Sequence, residues 1–314
     1  MEAQLDIPSK TTGRHSKRMY KKTWFTLYLL LAPALILLFI FNYIPMYGIT
    51  IAFQDYSPFL GTAGSPWVGF KHISYFLHDE MFWKVMRNTL VINFYDIVFG
   101  FTAPIGFALL ANEIMNKRFK SVVQTISYLP HFLSWIVVAG VFYQILSPTT
   151  GLVNDVMEWF GLKQIFFMSE ESLFRSIAVF ADIWKNVGWS AILYFAVIAG
   201  IDVSLYEAAM IDGANRIRQA WHITLPAMVP MIVLLFLMKL STVFTIGFDR
   251  IFTMQNSLVL DVSDVISTYI YRIGLLNAQY SLTTAIGVVQ SLLGFVLLIT
   301  ANKLSKKIVG VGLY

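Results

Sequence analysis

Six stretches of this 314-residue chain run almost without charge, within 23–54, 88–112, 121–154, 176–201, 223–248 and 273–302. Each exceeds the roughly 20 apolar helical residues needed to cross ~30 Å of bilayer hydrocarbon. The chain is therefore expected to be an all-α integral membrane protein with six transmembrane helices. Its mean hydropathy of +0.66 and its 13% of charged residues fit that reading and do not describe a soluble protein. With no cysteine in the chain, disulfide frameworks, thiolate metal sites and cysteine nucleophiles are excluded.

The charges outside these runs sort by loop. If the N-terminus is cytoplasmic, fourteen of the 23 Lys/Arg residues fall on the inner side and seven on the outer, with Lys185 and Lys239 inside spans. Basic residues favour the cytoplasmic side, so both termini are expected inside. The net charge of +5 reflects this sorting and does not point to nucleic acid. The basic head at 10–22 precedes an apolar run too long for a secretory h-region, which makes it an uncleaved anchor. Residues 1–22 then form a basic cytoplasmic tail, of which 1–20 is expected to lack fixed structure. The first span and its outer loop occupy 23–87, the remaining spans 88–302, and a second tail 303–314. Phe70, Ile73, Phe76 and Leu77 are spaced as a short interfacial helix in the outer loop.

The inner connection at 202–226 holds "EAAMIDGANRIRQAWHITLP" over 207–226. Asp212-Gly213 is a turn signal. It predicts a helix, a bend and a second short helix over 215–221 capped by Asp212. Such a knob shows Glu207 and Arg216 to water or to a protein. An amphipathic connector lying on the headgroups is the alternative.

Glu-Ala-Ala, then Asp-Gly-Ala, then Ile-x-Leu-Pro closing at Pro226 resembles the cytoplasmic signature of permease subunits in binding-protein-dependent ABC importers. "FWKVMRNTL" (82–90) and "YLPHFLSWIV" (128–137) resemble the sugar-importing branch, related to the maltose and complex-polysaccharide systems. The resemblance spans about 70–302. It implies a type I ABC importer permease fold in the bacterial cytoplasmic membrane, no enzyme activity and no cofactor in this chain. It further implies three kinds of partner besides membrane lipid: a second permease, two ATPase copies and an extracellular sugar-binding protein. Glu207, Ala208, Ala209, Asp212, Gly213, Ala214 and Arg216 become the expected ATPase-coupling residues. No G-x-x-x-x-G-K-[ST] phosphate loop occurs in the chain, so ATP chemistry belongs to a partner.

Charged groups inside spans are expensive and point to function. Asp182, Lys185, Asn186 and Ser190 recur at helical spacing in the fourth run, Asn93 and Asp96 share a face of the second, and Gln290 lies near the centre of the sixth. One reading is a wet vestibule that hydrogen-bonds sugar hydroxyls and stacks rings on Trp184 or Tyr194. In the maltose-type relatives a polar residue two before a tryptophan contacts sugar, and Asp182 and Trp184 hold those places. Lys185 departs from that pattern and would suit an acidic sugar. The other reading is structural, with Asp182 paired to Lys185 and Asp96 to Lys239. The five histidines form no metal pair at i,i+4. An ion-coupled secondary carrier using Asp96, Asp182 and Lys185 as a relay is the competing function, although no internal repeat supports it. An intramembrane enzyme lacks any nucleophile-base pair.

Overall fold

The structure, a computed structural model, describes residues 13–313, with side chains for Trp24 and from Thr26 onward. Thr26–Phe53, Glu80–Asn112, Arg216–Ser241 and Tyr280–Val309 are each long and apolar enough to cross a bilayer. Two further pairs are bent: Lys117–Phe132 with Trp135–Ile145 at 106°, and Glu171–Ala199 with Val203–Ile211 at 71°. Counting each bent pair as one crossing gives six spans in the expected order.

Three prolines are accommodated by widening the turn before them, while Pro33 and Pro230 sit inside α-helices. A proline lacks its N–H and crowds the carbonyl four residues back, so the helix must yield there. π-helical turns at Phe39–Tyr43, Asp96–Gly100 and Ala220–Thr224 precede Pro45, Pro104 and Pro226. In the second span Phe101 N–H reaches back five residues to the Asp96 carbonyl at 2.8 Å. Such turns re-aim side chains without breaking the helix.

The third crossing does more than kink at Pro130: it breaks just after that residue. "LPHF" ends the first half and Leu133 is extended (ψ 141°), after which Ser134 caps the second half by accepting from Val137 N–H. The break strands carbonyls at a depth where hydrocarbon cannot satisfy them. Lys185 Nζ donates to the carbonyls of Pro130, His131 and Leu133. Close approach makes this reach possible: a β-carbon at Gly188 would collide with the Ser127 carbonyl.

An outer layer covers the bundle. The helix Lys71–Leu77 forms where the spacing predicts one, but Phe76 is fully buried against Phe82 at 4.6 Å, so the helix is packed into the protein and does not simply lie in the interface. Arg175 Nη2 donates to Asn88 Oδ1, and Asn88 Nδ2 donates to the Asp261 and Asp264 carbonyls, pinning the 260–276 segment over the second and fourth spans. The first span packs least: its best apolar window has none of its residues buried within the chain.

The N-terminal end differs from expectation. Helix is already present from Gly13, so at 13–20 structure replaces the expected disorder, and the reading for 1–12 lies outside the described residues. No glycine or proline interrupts 14–32, so the span's helix propagates backward. Within the last apolar run the helix starts at Tyr280, and it runs past Lys303 to Val309, where left-handed Gly310 (φ 74°) ends it. Residues 311–313 then fold back, with Leu313 N–H on Asn302 Oδ1 at 2.8 Å.

Candidate functional site

The fourth span, Glu171–Ala199, carries Asp182, Asn186, Ser190 and Tyr194 at successive i,i+4 positions, which places them on one face. That face lines a cavity of about 670 Å³, closed by Phe101 and Pro104 of the second span and by Leu235 and Lys239 of the fifth. The size is that of a small-ligand site.

Asp96, aimed inward by its π-turn, takes a bidentate pair from Arg250 at 3.0 and 2.7 Å. Arg250 Nη1 also lies 3.6 Å from Asp182 Oδ1. The Asp96 and Arg250 side chains are only 4% and 5% exposed, so each charge depends on the other for solvation. The structural reading of these charges pairs Asp96 with Lys239 and Asp182 with Lys185, and counts Arg250 among the outer-side residues. The structure corrects both pairings, because "FDR" at 248–250 re-enters the bundle as the short helix Phe248–Met254. An ion relay needs a carboxylate free to take a cation, and both oxygens of Asp96 are engaged.

Three expected pathway residues lie elsewhere. Trp184 faces the other side of its helix, 6.0 Å from the Phe142 ring, along an apolar hollow. Lys185 is buried on the carbonyls of the broken helix. Gln290 is buried and donates to the Phe244 carbonyl. Asn186 lines the cavity while its neighbour Lys185 does not, since adjacent helical residues diverge by about 100°.

A different tryptophan lines the cavity. Trp189 stacks on His131 with centroids 4.4 Å apart and planes within 2°. Asn186 Nδ2 donates to Asp182 Oδ1 at 3.0 Å, leaving Asn186 Oδ1 to accept from His131 Nδ1–H at 2.9 Å. The amide orientation thus fixes the tautomer, and the chain Asp182–Asn186–His131 holds the indole in place.

At the inner end of the same helix the chain bends into Val203–Ile211, capped by Asp202, whose carboxylate accepts from Ser204 N–H at 3.0 Å. That hydrogen bond holds the Asp202 carboxyl below its usual range. Gly213 has φ +76°, a left-handed bend that suits glycine. Ala214 N–H closes the bend on the Ala209 carbonyl at 2.8 Å. Asn215, not Asp212, caps the second helix, Arg216–Gln219, by accepting from Arg218 N–H; it is the residue one turn before that amide. Tyr206 and Thr224 hydroxyls share a hydrogen bond at 2.9 Å, and Arg216 pairs with Glu113 of the second span at 3.3 Å. Glu207, Ala208 and Asp212 remain exposed, as do Ile211 (87%) and Ile217 (70%), while Ala209 and Ala214 are half-buried.

Residues 97–310 match the family described as binding-protein-dependent transport system inner membrane component. The chain is 42% identical over 92% of its length, and 90% of the relative's, to the polygalacturonan/rhamnogalacturonan transport system permease protein YteP of Bacillus subtilis. It is 39% identical to protein LplB of the same organism, covering 98% of both chains. A chain of a bacterial alginate ABC transporter, solved with an alginate pentasaccharide-bound periplasmic protein, superposes with a TM-score of 0.86 at 38% identity, covering 94% of this chain and 99% of that one. Membership implies an ATPase and a binding protein as partners. On these matches and this fold, the chain belongs to the binding-protein-dependent inner membrane components, as a permease subunit of a sugar ABC importer and not an enzyme.

Proposed function

We propose that this permease conducts acidic oligosaccharides, fragments of uronate-containing polysaccharides, through the cavity on its fourth span. The observation that carries the reading is mechanical: one helix bears the cavity's polar face and turns by 71° directly into the exposed knob. Movement of the knob therefore moves Asp182, Asn186 and Ser190. Glu207, Ala208, Ala209, Asp212, Gly213 and Ala214 form the ATPase-facing surface, and Arg216 braces it against Glu113. Trp184, Lys185 and Gln290 serve as packing and as helix support, while Trp189 takes the stacking role expected of Trp184.

The acidic substrate class is supported by the relatives, whose names specify polygalacturonan, rhamnogalacturonan and alginate. A second permease completes the translocation path as a heterodimer, with two ATPase copies on the inner side and the binding protein outside. Residues 88–302 act as the transporter core, the basic tails at 1–22 and 303–314 are cytoplasmic, and the Lys/Arg asymmetry supports that orientation. The test is ATP-driven uptake of oligouronides by the complete complex in proteoliposomes. Orientation is checked with Phe59→Cys (99% exposed) and Ile211→Cys (87% exposed) in this cysteine-free chain. An impermeant thiol reagent added to intact cells should label the first and spare the second. Uptake that proceeds without the ATPase would sink the reading.

A further inference from the structure

Four charged groups meet around the cavity, and three of them are engaged. Asp96 gives both oxygens to Arg250, and Asp182 accepts from Asn186 while lying 3.6 Å from Arg250. Lys239 lines the main cavity and also the small hollow beside Arg250. Among the described residues its ammonium has no carboxylate within 4.0 Å and no hydrogen-bond partner. A cation at membrane depth is costly unless water or an anion solvates it. Its place in the last turn of Leu225–Ser241 lets the helix dipole favour positive charge there but supplies no counter-ion.

We propose that Lys239 is the specificity-determining residue of the cavity, recognising the carboxylates of an acidic oligosaccharide; this rests on the cavity being the sugar path. Three features of the wall fit such a ligand. Arg250 pairs with Asp96 and lies 3.6 Å from the more exposed Asp182, so its charge offsets both wall carboxylates that would repel an anionic sugar. Trp189, fixed by His131, and Phe101 line the same cavity and offer flat faces to the apolar side of a pyranose ring. Lysine carries a compact charge on a flexible stem, whereas arginine would clamp a carboxylate with a planar fork. A transported chain must be released as readily as it is held, and weak attraction by a mobile point charge suits passage of successive carboxylates. Lys185, the cation that sequence reasoning assigned to this task, is committed to the carbonyls of Pro130, His131 and Leu133.

The experiment compares wild type, Lys239→Gln and Lys239→Arg as complete complexes with the same binding protein and ATPase in proteoliposomes. The probes are trigalacturonate and the same trimer with one carboxyl methyl-esterified, so that charge changes while the sugar does not. Losing a charge-assisted contact should lower trigalacturonate uptake about tenfold in Lys239→Gln. The ratio of trigalacturonate to partial-ester uptake should fall with it, and Lys239→Arg should restore that ratio. A Gln variant with the wild-type ratio overturns the inference, whether its absolute uptake is kept or reduced. Wild type that imports neither trimer but does import a neutral oligosaccharide overturns the acidic-substrate reading itself, a distinct outcome.

Discussion

Arg250 lies within 4 Å of both Asp96 and Asp182 in the bundle, and the Asp96–Arg250 pair is almost wholly buried. About five turns of helix and a bend beyond Asp182, the side chains of Glu207, Asp212 and Arg218 stand in solvent with no ion pair among the described residues. The difference follows from the medium. At membrane depth an unpaired charge is expensive, so the chain supplies the partner itself. At the inner surface water solvates each charge, and the partner can come from another subunit. The same contrast marks off Lys239, the charge in the cavity wall that is treated as if it were at the surface.

The largest expected effect tests the first half of this contrast. Arg250→Met leaves Asp96 buried without a counter-charge and should cost about 3–5 kcal/mol, enough to lose much of the folded, detergent-stable protein. Asp96→Leu combined with Arg250→Met should recover most of the loss, since exchanging a buried pair for apolar groups is often neutral. Thermal unfolding of the purified variants gives the coupling energy. If the single variant melts with wild type, Asp96 is solvated in the assembled transporter and the contrast collapses.

Lys185 sharpens the comparison, because it is a buried cation whose partners are carbonyls. Lys185→Met should destabilise by about 1–3 kcal/mol through unsatisfied carbonyls at the break in the third crossing. Melting should report the loss without any sugar present. A change in sugar selectivity with unchanged melting would return Lys185 to the substrate path.

Legibility in the sequence divides along the same line. The knob could be read because its helix, turn and second helix are contiguous, and Asp212-Gly213 encodes its bend locally. The spans could be read because length and hydrophobicity are local sums. The cavity was half legible: i,i+4 spacing groups Asp182, Asn186 and Ser190 on one face, but nothing local says that Trp184 and Lys185, two and three positions on from Asp182, lie along an apolar hollow and on the broken helix. Arg250 was not legible at all. It lies 154 residues from Asp96, and nothing local marks Phe248–Met254 as re-entering the bundle. The remaining signal was the lone Asp96 in an apolar run, which demanded a cation without naming it.

The knob carries a smaller intrinsic effect and a larger functional one. Gly213→Val forces a β-branched residue to φ +76° and should cost about 1 kcal/mol or more. A β-carbon there meets nothing within 4 Å in this chain, so the variant should insert and fold. Co-purification of the ATPase and uptake should both fall, because any clash would arise only against the partner. Normal uptake with a full complement of ATPase would make the loop a passive connector.

The smallest effect contrasts the outer face with the inner one. Asp55, in the outer loop, accepts a hydrogen bond from Lys71 Nζ at 2.8 Å and lies 2.9 Å from His72. The Lys71 hydrogen bond, followed by the nearby positive charges, outweighs desolvation and holds its carboxyl below the usual 3.8. A depressed carboxylate contributes stability that is present above the unfolded value and lost as pH falls through the folded one. The window therefore opens just under pH 4 and extends downward. The carboxylate is 39% exposed, so solvent screens the pair and the effect on the whole protein is slight. Asp55→Asn should lower the melting temperature slightly near neutrality, where the pair is intact, and converge with wild type well below pH 4, which flattens the acid limb of the profile. Asp202 is depressed as well, by the Ser204 N–H at its helix cap, but in the proposed orientation it faces the cytoplasm. With acid applied only outside sealed vesicles, the Asp55 contribution should respond while the Asp202 cap does not. The opposite response would reverse the assignment of the two faces.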